Sequence, residues 1–152
     1  MYFKNSLLAL LSFFCCIISG EAQLTGKNDL LKQIVEMQPT LNFSAKNISK
    51  RLKTEYIEKF NVPLNLSDSG SYYNKTDVLY KDEPNGMLLF SGAGVNNVGF
   101  ILFENKGITS QCNFLYYRTK KRKVIQMESL ILKKQPHNFE ELRHLIMNKE
   151  FL

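Results

Sequence analysis

The apolar positions along the chain have a period of about four residues in the first half and of two residues in the second. The four-residue period is typical of amphipathic helices that pack one face on a core. The apolar face of the first predicted helix consists of Leu30, Leu31, Ile34 and Met37. Pro39 ends this helix, and a second is predicted from Ser44, a suitable N-cap, to Pro63. Its apolar face consists of Ile48, Leu52, Tyr56 and Phe60.

A polar segment over residues 65–76, with the sequence NLSDSGSYYNKT, follows the predicted helices. It is rich in Asn, Ser, Asp and Gly, which favour turns, so we expect a mobile loop. Long loops in compact domains often carry binding surfaces. This loop is therefore one of two places where the sequence favours a binding surface.

Beyond this loop the apolar residues alternate, as they do in β-strands. The predicted strands cover residues 77–81, 87–91, 98–104, 111–118 and 123–132. Short connections between successive strands favour an antiparallel meander. The third strand carries apolar residues on both faces, so we expect it to lie in the centre of the sheet, with helices covering one face of that sheet.

A C-terminal helix is predicted to begin after Asn138 and to end near Lys149. Asn138 and Glu141 have the three-residue spacing of a capping box. The apolar face of this helix consists of Phe139, Leu142, Leu145 and Ile146. The predicted fold class is therefore α+β, with two N-terminal helices, a five-stranded antiparallel meander and a C-terminal helix. A chain of 152 residues that is 44% hydrophobic has room for one such domain with an adequate core.

The first 22 residues predict export. A basic N-terminal segment precedes an apolar run over residues 7–19, which is too short for the ~20 residues of a membrane-spanning helix and is typical of a signal peptide. The small residues Gly20 and Ala22 favour cleavage after residue 22, which leaves a single α+β domain over residues 23–152. We expect a secreted or periplasmic protein without a stable membrane span. The alternatives are an uncleaved anchor and a lipidated cysteine within the run.

Cleavage would leave Cys112 as the single cysteine of the domain, so no intramolecular disulfide is expected. Cys112 shares a strand face with Phe114 and Tyr116, which predicts a thiol packed in the core as a small hydrophobic group. The alternative is a nucleophilic thiol of a small hydrolase, with His137 or His144 as its base.

Three motifs that invite a cofactor fail on chemistry, so no cofactor or metal is predicted. The loop over residues 91–97 begins like a dinucleotide-binding motif, but Asn97 replaces its third glycine and a strand follows it. The polar loop has Asn, Ser, Ser and Thr where an EF-hand needs carboxylates. Glu140, Glu141 and His144 form a weak metal cluster with no further ligand type nearby.

Four sequons precede the predicted meander, at Asn42, Asn47, Asn65 and Asn74. In a eukaryotic secretory pathway they would carry glycans on the helical side of the domain and leave the sheet bare. A bacterial exporter would leave them unmodified, and the sequence does not distinguish the two hosts.

Charge supplies the second candidate binding surface. The chain carries 20 Lys and Arg against 14 Asp and Glu, a formal net charge of +6. The turn between the last two predicted strands gathers Lys120, Lys121 and Arg122 near Tyr117 and Arg118. Such a basic and aromatic tip suits a sulfated, carboxylated or phosphorylated partner. A solvated turn that prevents edge pairing is the alternative interpretation.

Together these features predict an exported, non-enzymatic binding or interaction domain, whose partner is an anionic polymer or a protein. Nucleic acid is not expected outside the cell. Two alternatives remain open at this point: a small cysteine-dependent hydrolase, and an accessory subunit that docks to an envelope assembly through an apolar sheet face.

Overall fold

The computed structural model describes residues 28–76, 83–106 and 110–152, and within these ranges it forms an α+β fold. The strands are β1 (Thr40–Asn42), β2 (Leu66–Ser67), β3 (Gly86–Ala93), β4 (Val98–Lys106), β5 (Ser110–Lys120) and β6 (Lys123–Leu132). The helices are α1, described over residues 28–36, α2 (Lys50–Phe60) and α3 (Phe139–Met147). Across these ranges no helix has the length and apolar character needed to cross a membrane.

The predicted antiparallel meander is confirmed for its last four strands. Strands β3 to β6 pair consecutively and antiparallel in one sheet of the order β1-β3-β4-β5-β6. The ends of these strands differ from the predicted ends by no more than two residues. The strand predicted over residues 77–81 lies outside the described residues. Among the described residues, β1 pairs antiparallel and β2 pairs parallel with the outer edge of β3.

Strand β4 lies in the interior of the sheet, as predicted, but helices cover both faces rather than one. On the first face, Phe100 and Leu102 belong to a core cluster that includes Ile34 of α1 and Leu142 of α3. On the second, which we call the α2 face, the cluster joins residues of β4 to Leu52 of α2. The alternation of two apolar sets along one strand therefore reflects two separate cores.

Helix α2 begins later than predicted. Ser49 is its N-cap and accepts a hydrogen bond from the Leu52 amide at 3.2 Å. Ser44 instead precedes a single 3-10 turn over Ala45–Asn47, where its hydroxyl contacts Asp68 at 3.2 Å. The prediction of Ser44 as the N-cap is wrong because Asp68, from a distant segment, serves this turn.

Part of the polar segment over residues 65–76 is packed against the domain, whereas residues 69–72 and 75–76 are exposed, and the mobility of the loop stays a prediction. Its first residues form β2, and Tyr73 and Asn74 are buried. Asp68 accepts hydrogen bonds from the Ala45 amide and the Ser44 hydroxyl. The turn formers in this segment thus make tertiary contacts that composition does not reveal.

Candidate binding site

Lys120, Lys121 and Arg122 lie together at the end of the β5–β6 hairpin, and we call these three residues the hairpin tip. Lys121 and Arg122 form a two-residue turn, and Lys120 pairs across the ladder with Lys123. All three tip residues are exposed, and none forms an ion pair with another residue of the described ranges. The other arginines, Arg51, Arg118 and Arg143, each pair with a carboxylate. The tip therefore presents uncompensated positive charge to solvent.

The backbone of the tip is conformationally unfavourable for the residues that it carries. Lys121 has φ of 49° and Arg122 has φ of 64°. Two-residue hairpin turns with both central residues at positive φ strongly favour Asn-Gly, because other side chains crowd the backbone there. Backbone strain of this kind clusters at functional sites, where it holds side chains in place.

Arg118 does not belong to the hairpin tip, although the sequence grouped it with the tip residues. It pairs with Asp29 of α1, with 2.9 Å between its Nη2 atom and the Oδ2 atom of the carboxylate. The Arg118 guanidinium lowers the pKa of the Asp29 carboxyl below its usual value, chiefly through this hydrogen bond. Arg118 thus joins α1 to the sheet through this ion pair, and its place in the binding site stays a prediction.

Tyr117 points to the α2 face and lies over Gly99, its partner on β4. A Cβ atom built on Gly99 would lie 2.6 Å from the Tyr117 hydroxyl oxygen, so only glycine leaves room for this ring. Burial raises the pKa of the Tyr117 hydroxyl. The aromatic ring therefore packs over Gly99 and forms part of the surface beside the tip.

A groove of about 590 Å³ opens beside the hairpin tip on the α2 face, and we call it the tip groove. Its apolar lining consists of Ile48, Leu52, Ala93, Val98, Ile101, Tyr117 and Val124. Its uncharged polar lining consists of Asn47, Ser49, Ser91, Asn97 and Thr119. The charged residues of the lining are Arg51 and Arg122, and no carboxylate contributes to it. Volumes of about 300 to 1,000 Å³ are typical of small-molecule sites.

Sequence reasoning missed the tip groove because its walls come from separate parts of the chain. The first turn of α2 and the residues just before it form one wall, and the ends of strands β3 to β6 form the other. Which residues of a strand face the groove depends on register, and the ladder between β5 and β6 shifts between Arg118 and Thr119. Only the charge of Arg122 was visible in the sequence.

Cys112 lies in the core, as the sequence predicts for a packed thiol. It is buried with Phe114 and Tyr116 in one cluster. Burial, and secondarily the charge of Glu104 opposite it on β4, raises the pKa of the thiol from 9.0 to about 12. Because the thiolate is the nucleophilic form, this environment does not favour the cysteine-hydrolase alternative.

The two histidines are not placed to activate this thiol. His137 and His144 are exposed, whereas the opposite face of α3, with Leu142 and Ile146, packs into the cluster that holds Cys112. Among the described residues, no three His, Cys, Asp or Glu side chains are grouped as metal ligands. The carboxylate of Glu141 serves the start of α3 instead, where it accepts a hydrogen bond from the His137 amide.

The Cys112→Ser variant is expected to lose about 1 to 3 kcal/mol of unfolding free energy near neutral pH, because a buried hydroxyl replaces a thiol. The folded thiol keeps its proton between pH 9.0 and about 12, whereas the unfolded thiol loses it. The contribution of Cys112 is therefore complete below pH 9.0 and declines as the pH rises toward 12. Denaturant unfolding of both proteins checks this, and rapid iodoacetamide labelling of the native thiol would contradict it.

The four sequons occupy different environments. Asn47 is exposed, Asn42 and Asn65 are half-buried and Asn74 is buried. The Asn65 side-chain nitrogen, which would carry a glycan, donates a hydrogen bond to the Glu83 carbonyl at 2.9 Å. Asn42 lies in β1, so the expectation that the sheet itself carries no sequon is wrong at that position.

Comparisons with family models, with curated proteins and with solved structures gave no match for this chain. The hairpin tip and the tip groove are thus the features on which a function can rest.

Proposed function

We propose that the protein is an exported, non-enzymatic binding domain that holds an anionic polymer or an anionic protein surface at its hairpin tip. The observation that carries this proposal is the unpaired Arg122, together with Lys120 and Lys121 on the same turn. Elsewhere in the described ranges, arginines are compensated by carboxylates of their own fold. Cationic side chains without internal partners attract anions and steer their approach.

The strained turn adds to this proposal. Long cationic side chains occupy two positions where Asn-Gly would relieve the backbone. A solvated turn that only blocks edge pairing needs a single lysine on an edge strand. The combination of charge and strain therefore favours binding over simple solubility.

Export is the second part of the proposal and rests on the signal-peptide pattern of residues 1–22. We expect the protein recovered from the medium or the periplasm of an expressing cell to begin at or near Gln23. Intact mass and N-terminal sequencing measure this directly. Recovery of a membrane-bound form that retains Met1, or of a form with a diacylglycerol mass on a cysteine, would contradict it.

Replacing Lys120, Lys121 and Arg122 together by Gln is expected to weaken heparin binding by on the order of tenfold at low salt, because the local cluster contributes most of the attraction. The melting temperature of this triple variant should stay nearly unchanged, since substitutions of exposed residues rarely change the free energy of unfolding by more than about 0.5 kcal/mol. Heparin chromatography with a salt gradient measures the loss. Salt sensitivity is expected because exposed charges are screened within about 8 Å at physiological ionic strength.

A matched control removes the same charge from elsewhere on the surface. Lys46, Lys50 and Lys133 are exposed and belong to no ion pair of the described ranges. Their joint replacement by Gln lowers the net charge as much as the tip variant does. Equal loss of retention in the two variants would show that the overall charge binds heparin and that the hairpin tip is not a site.

A further inference from the structure

We propose that the tip groove binds a small amphipathic carboxylate, with the apolar body of the ligand in the groove and its carboxylate at Arg122. This inference rests on the proposed function in one respect, since Arg122 belongs to both the hairpin tip and the groove. It adds a class of ligand, because a polymer such as heparin has no apolar body to fill a groove.

The apolar part of the lining favours a ligand with an apolar body. Ile101 of β4 and Leu52 of α2 belong to the core of the α2 face and also line the groove. The Tyr117 ring and Val124 extend this apolar surface toward the tip. Burial of apolar ligand surface here is favourable by roughly 25 cal/mol per Å², which a fully hydrated polyanion cannot exploit.

The single anionic head is required by the charges of the lining. Arg122 has no carboxylate partner in the described ranges, whereas Arg51 is 3.7 Å from Glu55 and is partly compensated. A guanidinium binds a carboxylate through two parallel hydrogen bonds, which favours this head group over a neutral one. The two arginines stand on different walls of the groove, one on α2 and the other on the tip.

The N-terminus of α2 also favours an anionic head group on the ligand. Ser49 caps the Leu52 amide, but the amides of Lys50 and Arg51 have no acceptor within the helix. Ser49 and Arg51 line the groove, so the positive end of the helix dipole lies on its wall. This wall therefore repels cationic ligands and adds to the attraction that Arg122 provides.

Decanoate and decanol are suitable probes because they share an apolar chain and differ in head-group charge. Calorimetric titration of the full protein is expected to show decanoate binding at least about tenfold tighter than decanol. Backbone amide shifts in an NMR titration should centre on Ile48, Ile101 and Tyr117. Equal affinity for the two probes, absence of decanoate binding, or shifts confined to Lys120 and Lys121 would overturn the proposal.

Two variants test the two halves of the site. Arg122→Gln keeps a long polar side chain without the guanidinium, and should weaken decanoate binding about tenfold and leave decanol unchanged. Lys123→Gln, one residue further along and outside the groove lining, is its matched control.

Ala93→Leu places an isobutyl group in the groove from an exposed position of β3, and should abolish decanoate binding. Val95→Leu, in the adjoining loop and outside the tip groove, is the control for added apolar surface.

The outcomes separate this inference from the proposed function. Heparin retention depends on the tip charges and should survive Ala93→Leu, because that substitution changes only the groove. If Ala93→Leu binds decanoate as the wild type does, the groove is not the site and the inference fails while heparin binding stands. If the triple tip variant binds heparin as tightly as the wild type, the proposed function fails. The tip groove remains the decanoate site in that case, provided that Ala93→Leu abolishes decanoate binding.

Discussion

The double variant K121N/R122G, which puts an Asn-Gly pair at the hairpin turn, is expected to be more stable than the wild type and to bind anions less well. Both native residues, Lys121 and Arg122, hold positive φ values, 49° and 64°, which cost a non-glycine residue roughly 1 to 2 kcal/mol each. Asn and Gly adopt this conformation readily, although Gly also gains entropy in the unfolded chain. The net gain in unfolding free energy is therefore expected to be about 1 to 2 kcal/mol.

The control for this variant is K121Q/R122Q, which removes the same two charges but leaves a side chain at each strained position. It should lose heparin and decanoate binding to a similar degree and gain no stability. Chemical denaturation separates the two variants, because the slope against denaturant should not change while the midpoint rises only for Asn-Gly. If the two variants unfold at the same midpoint, the turn stores no strain, and the argument from backbone geometry to function is wrong.

A variant that gains unfolding free energy but loses anion binding indicates a binding site whose native residues are unfavourable for the backbone conformation. The measurement thus bears on the proposed function as well as on the fold.

The period of the apolar residues was sufficient to predict the elements that pack through one repeating face. Helix α3 follows its predicted apolar face and N-cap, with the Glu141 amide donating to the Asn138 side chain at 2.9 Å. The Glu141 carboxylate accepts from the His137 amide rather than from that of Asn138, so only half of the predicted capping box forms. Strands β3 to β6 were predicted because each is long enough to show alternation. The edge strands β1 and β2 have three and two residues, which is too short for any period. Their pairing depends on β3, not on their own sequence.

The sequence predicted only the part of the candidate site whose charged residues are neighbours along the chain. The run at the hairpin tip is visible because its members are neighbours on one turn. The ion pair of Arg118 with Asp29 was not visible, because Asp29 lies 89 residues earlier in the chain. The tip groove was not visible either, since Arg51 and Arg122 meet there only through the packing of α2 on the sheet. Contacts between residues that are distant in sequence therefore limit the prediction of this site more than the identification of suitable residue types does.

Gly92→Ala is expected to cause the largest loss of stability among single substitutions near the sheet edge. Gly92 pairs directly with Phe100 across the β3–β4 ladder. A Cβ atom at this position would lie 2.4 Å from one ring carbon of Phe100 and 2.9 Å from the Pro39 Cβ atom. Phe100 is fully buried, with the rings of Phe90, Phe114 and Phe139 at centroid distances of 5.9, 5.9 and 5.4 Å. The ring is thus enclosed by other core side chains.

Overpacking of this kind costs about 3 kcal/mol, which corresponds to a drop of roughly 10 °C in melting temperature for a domain of this size. Gly94→Ala, two residues further along, is the matched control. Its Cβ atom would meet the Met37 sulfur at 2.9 Å, and this atom lies near the flexible end of its side chain. The control should therefore cost less than about 1 kcal/mol. Equal melting temperatures for the two variants would show that the Phe100 ring can move, and that the core beneath β3 is less tightly packed than these distances require.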